Sequence, residues 1–389
     1  MLRCWRTGGD VLRTGRKNVG SVRALSGATK PVLLTDRRLI AVGGPDSTSF
    51  MQGLVTNDVH RLSPGGGSQT ALFANFLNAK GRFRFDAFIA SYSPSSPLMQ
   101  GLRDSKAAIG EEGYLLDTSE DQVATLGKYL KMRTLGSKVK VSPVPADATA
   151  VCQHLPLAET PVRLEEGDSK GAVLLFADPR SERMGVRSLQ VGSSLAFSVS
   201  AGEDSGAALY RARRLLCGIA EGPQELEVEK TVPLEASLHY YDTVCFNKGC
   251  YVGQELMARV HYTGTLRKQA VTLLLDESKE GECEKKTEWT SFGNALSLVG
   301  GGGAGEASIK AGDTVTFAKG PGERTRRIGK VLAVEGRVAL TMVRFHYLEG
   351  SDGSDAIDGT VYVTAENGRN IAADAVVRPH WWESRPVER

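Results

Sequence analysis

The 389-residue chain has no run of 18 or more apolar residues, so no helix able to cross a bilayer is expected. It is poor in cysteine. The six (Cys4, Cys152, Cys217, Cys245, Cys250 and Cys283) are scattered, without a CxxC pair. That argues against a disulfide framework and for a reducing compartment, and the five-residue step from Cys245 to Cys250 is poor zinc spacing. The histidines (His60, His154, His239, His261, His346 and His380) form no HxH or HExxH pattern, so no stable metal site is expected. Neither Gly65-Gly66-Gly67 nor Gly300-Gly301-Gly302-Gly303 leads into a Lys-Ser or Lys-Thr helix, and there is no Gly-x-Ser-x-Gly. Phosphate-loop and serine-hydrolase chemistry are thereby disfavoured.

Positive charge is also scarce outside one end. Residues 31–389 hold 41 basic and 44 acidic side chains, and a mildly acidic body gives no electrostatic case for nucleic acid. Residues 1–30, by contrast, carry seven basic side chains and the single acid Asp10, among Ser and Thr. Arg-rich, acid-poor and without an apolar h-region, this segment reads as a mitochondrial transit peptide, with Arg23-Ala-Leu-Ser26 a reasonable cleavage neighbourhood. The competing reading is a basic tail for an acidic partner.

With 41% hydrophobic and 24% charged residues, the rest has globular composition, and its length allows two or three domains. Arg37–Val42 reads as a strand before the turn Gly43-Gly44-Pro45-Asp46, where Asp46 would cap a helix from Ser47. Ala71–Leu77 and Phe83–Ile89 read as a hairpin joined by Asn78-Ala-Lys-Gly81. Tyr114–Asp117 is a strand end, and Asp121–Arg133 has helical composition. Gly206–Gly218 reads as a helix whose Arg211, Arg213 and Arg214 mark an anion site or, as is more frequent, a solvated face. After about Leu266 the character changes. Val271–Leu275 is a strand and Asp276–Gly305 a polar, glycine-rich stretch with a long loop. Thr314–Phe317, Ile328–Val334, Val338–Phe345 and Thr360–Val363 then recur at barrel or sandwich spacing. Trp381-Trp382 would close or pack this unit. The fold class is α+β: a mixed body followed by a small β domain.

The segment Lys248-Gly249-Cys250-Tyr251-Val252-Gly253-Gln254-Glu255 is the most informative. Gly249 permits a tight turn or close approach. Lys248 would favour the thiolate of Cys250, as would the N-terminus of a helix over Gln254–Val260. Gln254 and Glu255 bring directional donors and acceptors. Two readings of the thiol compete: a reactive sulfur and inert filler beside glycine.

Val232-Pro-Leu-Glu-Ala-Ser-Leu-His-Tyr240 and Phe246-Asn-Lys-Gly-Cys-Tyr-Val-Gly-Gln-Glu-Leu-Met-Ala-Arg259 resemble the YgfZ-type branch of the glycine-cleavage T-protein (GcvT) family. Its eukaryotic members are mitochondrial iron–sulfur cluster assembly factors. Asn78-Ala-Lys-Gly81 with Asp86 five residues on, Arg327–Val331 and Gly336–Leu340 support the resemblance, which covers the chain from about Pro31 onward. It implies a transit peptide at 1–30, a GcvT/YgfZ-like multi-part body around a central opening at 31–265, and a C-terminal β-barrel at 266–389. It implies a matrix protein that supports maturation of [4Fe–4S] proteins. Cys250 is then the candidate thiolate, a transient cluster ligand shared with mitochondrial cluster assembly or carrier proteins that supply the remaining thiolates. Cys245, outside the signature, is assigned to packing. Lys248, Gly249, Tyr251, Gly253, Gln254, Glu255, Asn78 and Asp86 are the candidate ligand-binding residues, and tetrahydrofolate is the implied small molecule.

The alternative is a tetrahydrofolate-dependent aminomethyltransferase-like enzyme with Asp86 as the ionised group; a third is a pure interaction protein. Two departures bear on the enzyme reading. T-proteins have a second aspartate where Phe85 stands, and Arg-Leu-Glu-Ala-Gly where this chain has Arg214-Leu215-Leu216-Cys217-Gly218. His239-Tyr240-Tyr241 and His261-Tyr262 either stack on a flat ring or pack the core. No nucleic-acid or membrane partner is expected.

Overall fold

The structure is a computed structural model that describes residues 22–26, 31–62, 69–96, 98–107, 110–156, 163–166, 173–192, 204–264, 266–280, 286–299, 309–320, 323–349 and 356–378. The first part of the chain runs β1 (Val22–Ser26), β2 (Val32–Leu33), β3 (Arg37–Gly43), α1 (Ser47–Gln52), β4 (Ala71–Leu77), β5 (Phe83–Tyr92), α2 (Leu98–Asp104), β6 (Gly113–Ser119), α3 (Glu120–Lys131) and β7 (Lys140–Pro143). Five strands form an antiparallel sheet in the order β4-β5-β6-β3-β7. The hairpin β4–β5 is apolar on both faces because the pleat divides its side chains between two cores. Phe73 and Phe88 join the first, Phe76, Phe85 and Ile89 the second.

Next come β8 (Thr149–His154), β9 (Arg163–Glu166), β10 (Val173–Ala177), β11 (Val186–Val191), α4 (Asp204–Leu216) and α5 (Gln254–Thr263). A second antiparallel sheet has the order β10-β11-β8-β2. Sequence reasoning left its three long strands unassigned. β1, inside the segment read as a transit peptide, pairs antiparallel with β9.

The last part is β12 (Lys268–Glu280), β13 (Glu288–Thr290), α6 (Phe292–Val299), β14 (Thr314–Ala318), β15 (Arg326–Glu335), β16 (Val338–Arg344), β17 (Thr360–Thr364) and β18 (Asn370–Val377). β12-β16-β15-β14-β17-β18 close into a six-stranded barrel, since β18 pairs back onto β12. β13 adds outside, parallel to β18. β13 and α6 fall in the stretch 276–305 read as polar and glycine-rich: Trp289, Phe292 and Ala295 there pack on the core. Gly65–Gly67, Gly300–Gly303 and Trp381-Trp382 lie outside the described residues.

One contiguous core runs from Phe73, Phe88 and Leu238 in the body to Leu273, Val315 and Val343 in the barrel. α4 links the two. Its last carbonyls accept hydrogen bonds from Tyr241 Oη (to Cys217 O, 2.6 Å) and from Thr272 Oγ1 on β12 (to Leu215 O, 2.5 Å). Helix ends need such outside donors. The solvated-face reading of its arginines fails for two of the three. Arg213 is buried and donates to Arg183 O and Pro156 O; Arg214 is buried and forks onto Glu225. Asp46 occupies the N-cap position of α1 but makes no capping bond; its Oδ2 accepts from Lys138 N at 2.7 Å instead.

Candidate functional site

The loop leading to α5 is fastened to α1 and to the turn of the β4–β5 hairpin. Cys245 N donates to Thr56 O and Val252 N to Gly53 O. Lys248 Nζ donates to Gln52 O, Val55 O and Asn57 O at 2.7–2.8 Å. The carbonyls at and beyond the end of a helix lack helical partners, and an ammonium has three donors to meet three acceptors. The charge expected to sit beside Cys250 is therefore committed to the backbone that follows α1. Burial pushes Lys248 down to about 8, opposed by Asp58 and Cys245. Tyr251 is buried in a small core with Leu77, Val232, Leu234, Val244 and Met257, its ring 5.0 Å from Lys248 Nζ.

The two motifs, far apart in sequence, meet through glycine. Gly253 has φ +83°, and a Cβ there would stand 2.5 Å from Asn78 O; Gly81 has φ +73°, and its Cβ would meet Leu256 Cβ at 2.6 Å. Only glycine combines that backbone region with that proximity. Asn78 Oδ1 accepts from Lys80 N and Arg82 N, which fixes the turn. Gln254 and Glu255 form the first turn of α5, where the Glu255 carboxylate complements the helix dipole. Gly249 differs: a Cβ there would meet nothing within 4 Å, so its own fold does not require a glycine.

Gly249 and Cys250 are exposed. Burial pushes the thiols of Cys152 and Cys217 up to about 11, which suits packing. Cys245 is half-buried, near Arg61 and Lys248. Beside the loop, Phe246 stacks on His261 with ring centroids 3.6 Å apart and planes at 9°, and exposed Tyr262 meets His261 edge-on. Burial pushes His239, tilted against Tyr240, down to about 3. Among the described residues no group of three or more His, Cys, Asp or Glu could hold a metal ion.

Asp86 stands apart from this loop. It is fully buried on β5, on the pleat face opposite Phe85. Phe85 points into the second core against Phe76 and Tyr129, so a carboxylate at position 85 would not reach the sheet face that carries Asp86. Leu216, the other departure, is buried in the main core. Asp86 Oδ2 accepts from Gly222 N at 2.6 Å, while Oδ1 has no partner; Asn75 Oδ1, directly across the hairpin, has none either. Burial, then Glu221, raises Asp86 to about 6 against the pull of Arg37 and Arg180.

The middle of the body is a buried charged network. Asp117 on β6 accepts from Arg37 Nε of β3 (2.7 Å) and Arg187 Nε of β11 (2.6 Å). Glu221 accepts from Arg37, Arg180 and Tyr210 Oη of α4, and Arg180 also forks onto Asp178. Burial alone would raise Glu221, but Arg180, Arg37, Arg214 and Arg187 hold it well below the carboxylate range. The guanidinium carbons of Arg187 and Arg180 lie 4.0 and 4.4 Å from the Phe88 ring centroid, which offsets part of their desolvation. Sequence reasoning missed this network. Its members lie up to 184 residues apart, and a single Arg or Asp in a strand gives no local signal.

An α+β body of this topology joined to a closed barrel defines a T-protein-like fold class. A solved glycine cleavage system aminomethyltransferase T from Bartonella henselae shares the fold: TM-score 0.56 over 91% of this chain and 85% of that one, at 15% identity. A scan against protein-family models finds no match. Among curated proteins, the mitochondrial iron–sulfur cluster assembly factor IBA57 of Mus musculus is 30% identical over 97% of this chain and 93% of its own length. The human protein of that name is 30% identical over 90% and 84%. A Coccidioides immitis homolog is 34% identical over 64% of this chain, which spans only 57% of that relative. The chain belongs to the family of mitochondrial iron–sulfur cluster assembly factors that these relatives represent.

Proposed function

We propose that this protein supports maturation of [4Fe–4S] proteins in the mitochondrial matrix, with Cys250 as a thiolate that holds iron of a cluster transiently. The observation that carries this reading is the exposed sulfur beside Gly249, whose missing side chain leaves open space in a loop otherwise fixed by Lys248, Val252 and Gly253. A soft thiolate suits iron, and the thiol releases its proton to solvent as the sulfur binds. A [4Fe–4S] cluster takes about four protein ligands, so a partner must supply the others. Exposed Glu255, with Gln254 at the start of α5, offers that partner polar contacts next to the sulfur.

The test is anaerobic reconstitution with and without a mitochondrial cluster-carrier protein. Cluster absorbance that forms in the mixture, is absent from this protein alone, and is lost with Cys250→Ser supports shared ligation. Full rescue of aconitase-type activity by Cys250→Ser in depleted cells would overturn the role of the thiol.

A second reading is a folate-type ligand used in one-carbon chemistry. The unpartnered acceptors of Asn75 and Asp86, side by side across the hairpin, favour it, because a reduced pteridine presents N–H donors that such a pair could hold. Bound tetrahydrofolate would supply a one-carbon carrier; Asp86 would orient its donor edge. Calorimetry with tetrahydrofolate on the wild type and Asp86→Ala tests this: equal binding by both proteins, or none by either, removes Asp86 from the reading.

A further inference from the structure

Beside the five-stranded sheet, α3 and β7 flank a cleft of about 390 Å³. Val123, Ala124, Gly127 and Pro143 line its apolar part, and Lys128 and Lys131 stand on its rim. Met132, which also lines it, is 64% exposed, and Leu135 just beyond is 90% exposed. Large apolar side chains left this open mark an interaction surface when they border a groove.

Gly127 is the second observation. It sits in the interior of a 12-residue helix, where glycine is among the poorest residues. A Cβ there would meet nothing within 4 Å, and its φ lies outside the left-handed region. Neither packing nor backbone conformation of this chain calls for glycine, but a close-packed occupant of the cleft would.

The third is charge. Residues 122–146 contain Lys128, Lys131, Arg133, Lys138 and Lys140 and no acid, on a body whose balance is acidic. Arg133 is turned onto the Tyr129 ring, 3.7 Å from its centroid. Among the described residues the side-chain ammonium groups of the four lysines form no ion pair, whereas those of lysines 230, 310 and 330 each do.

We propose that the α3–β7 cleft docks a segment of a protein partner that carries apolar side chains flanked by Asp or Glu. The apolar residues would enter over Gly127, and the acids would meet Lys128 and Lys131, giving steering and register more than raw affinity. A concave site lined by glycine and proline suits inserted side chains better than a bilayer surface.

The test places a benzoylphenylalanine photo-crosslinker at Leu135 in the full chain, in intact mitochondria, with the same label at exposed Lys310 on the barrel as control. The expected adduct, mapped by mass spectrometry, is a peptide of another protein that combines acidic and apolar residues. Its yield should fall by about fivefold or more when Lys128→Glu and Lys131→Glu are combined, and likewise with Gly127→Met, which fills the cleft; circular dichroism checks that both variants fold. Adducts to lipid, adducts to a second copy of this chain, or a yield no higher than that from Lys310 would each overturn the proposal.

Discussion

Replacing Asp86 by Asn should make the protein more stable at neutral pH. The carboxyl is fully buried, accepts one backbone N–H and leaves Oδ1 without a partner. Its titration is raised from an ordinary 3.8 to about 6. A folded-state value above the unfolded one means that the native state binds the proton more tightly. The associated stability is fully present below pH 3.8 and is lost as pH rises through about 6. At about 1.36 kcal/mol per pH unit, ionisation of Asp86 at pH 7.5 forgoes up to ~3 kcal/mol. Asparagine keeps the shape and the acceptor for Gly222 N–H, and its amide can face Asn75 Oδ1 across the hairpin. Because that amide must find good geometry, the expected gain at pH 7.5 is about 1–3 kcal/mol. Urea unfolding at pH 4, 5.5 and 7.5, at fixed ionic strength, measures it. The advantage of the variant should shrink toward zero by pH 4. An Asp86→Asn protein less stable than wild type at pH 7.5, or a difference that does not vary with pH, would refute the reasoning and mean that the neighbouring arginines fully compensate the buried charge.

Further substitutions probe the scaffold around the thiol and the network behind it. Lys248→Met strips three carbonyls of their shared donor and should cost about 2–4 kcal/mol in urea unfolding; a loss below about 0.5 kcal/mol would return the lysine to a purely electrostatic role. Gly253→Ala forces a Cβ to 2.5 Å from Asn78 O at positive φ, and a loss of about 2–4 kcal/mol is expected by the same assay. Asp117→Ala leaves Arg37 and Arg187 without their shared carboxylate, and about 3–5 kcal/mol should be lost. Calorimetry would expose that loss as a lower melting temperature, and an unchanged one would show that the network contributes nothing net.

The hairpin was legible because its signals are local. Apolar, aromatic-rich runs and a turn motif placed β4 to the residue and β5 to within three at one end. The barrel strands β14 to β17 were visible for the same reason. The second sheet was not, since β8, β10 and β11 take their stability from partners such as Arg187 and Gln153 that only the fold brings together. At the candidate site, Cys250, Gly253 and Asn78 were singled out from sequence, and the structure seats Gly253 against Asn78. Lys248 was assigned to the thiol, yet its long stem reaches back 191 to 196 residues in sequence to carbonyls near α1, a partner no spacing rule could indicate. At Gly249, expected to permit a tight turn or the close approach of a ligand, a Cβ would meet nothing within 4 Å.

The interlock between Gly253 and the Asn78–Gly81 turn has a kinetic corollary. The sulfur rides on a post, not a tether, with little freedom to swing outward. Under the role proposed above, whatever delivers iron would have to come to a stationary address, and the pace of hand-over would be governed by how the courier lands.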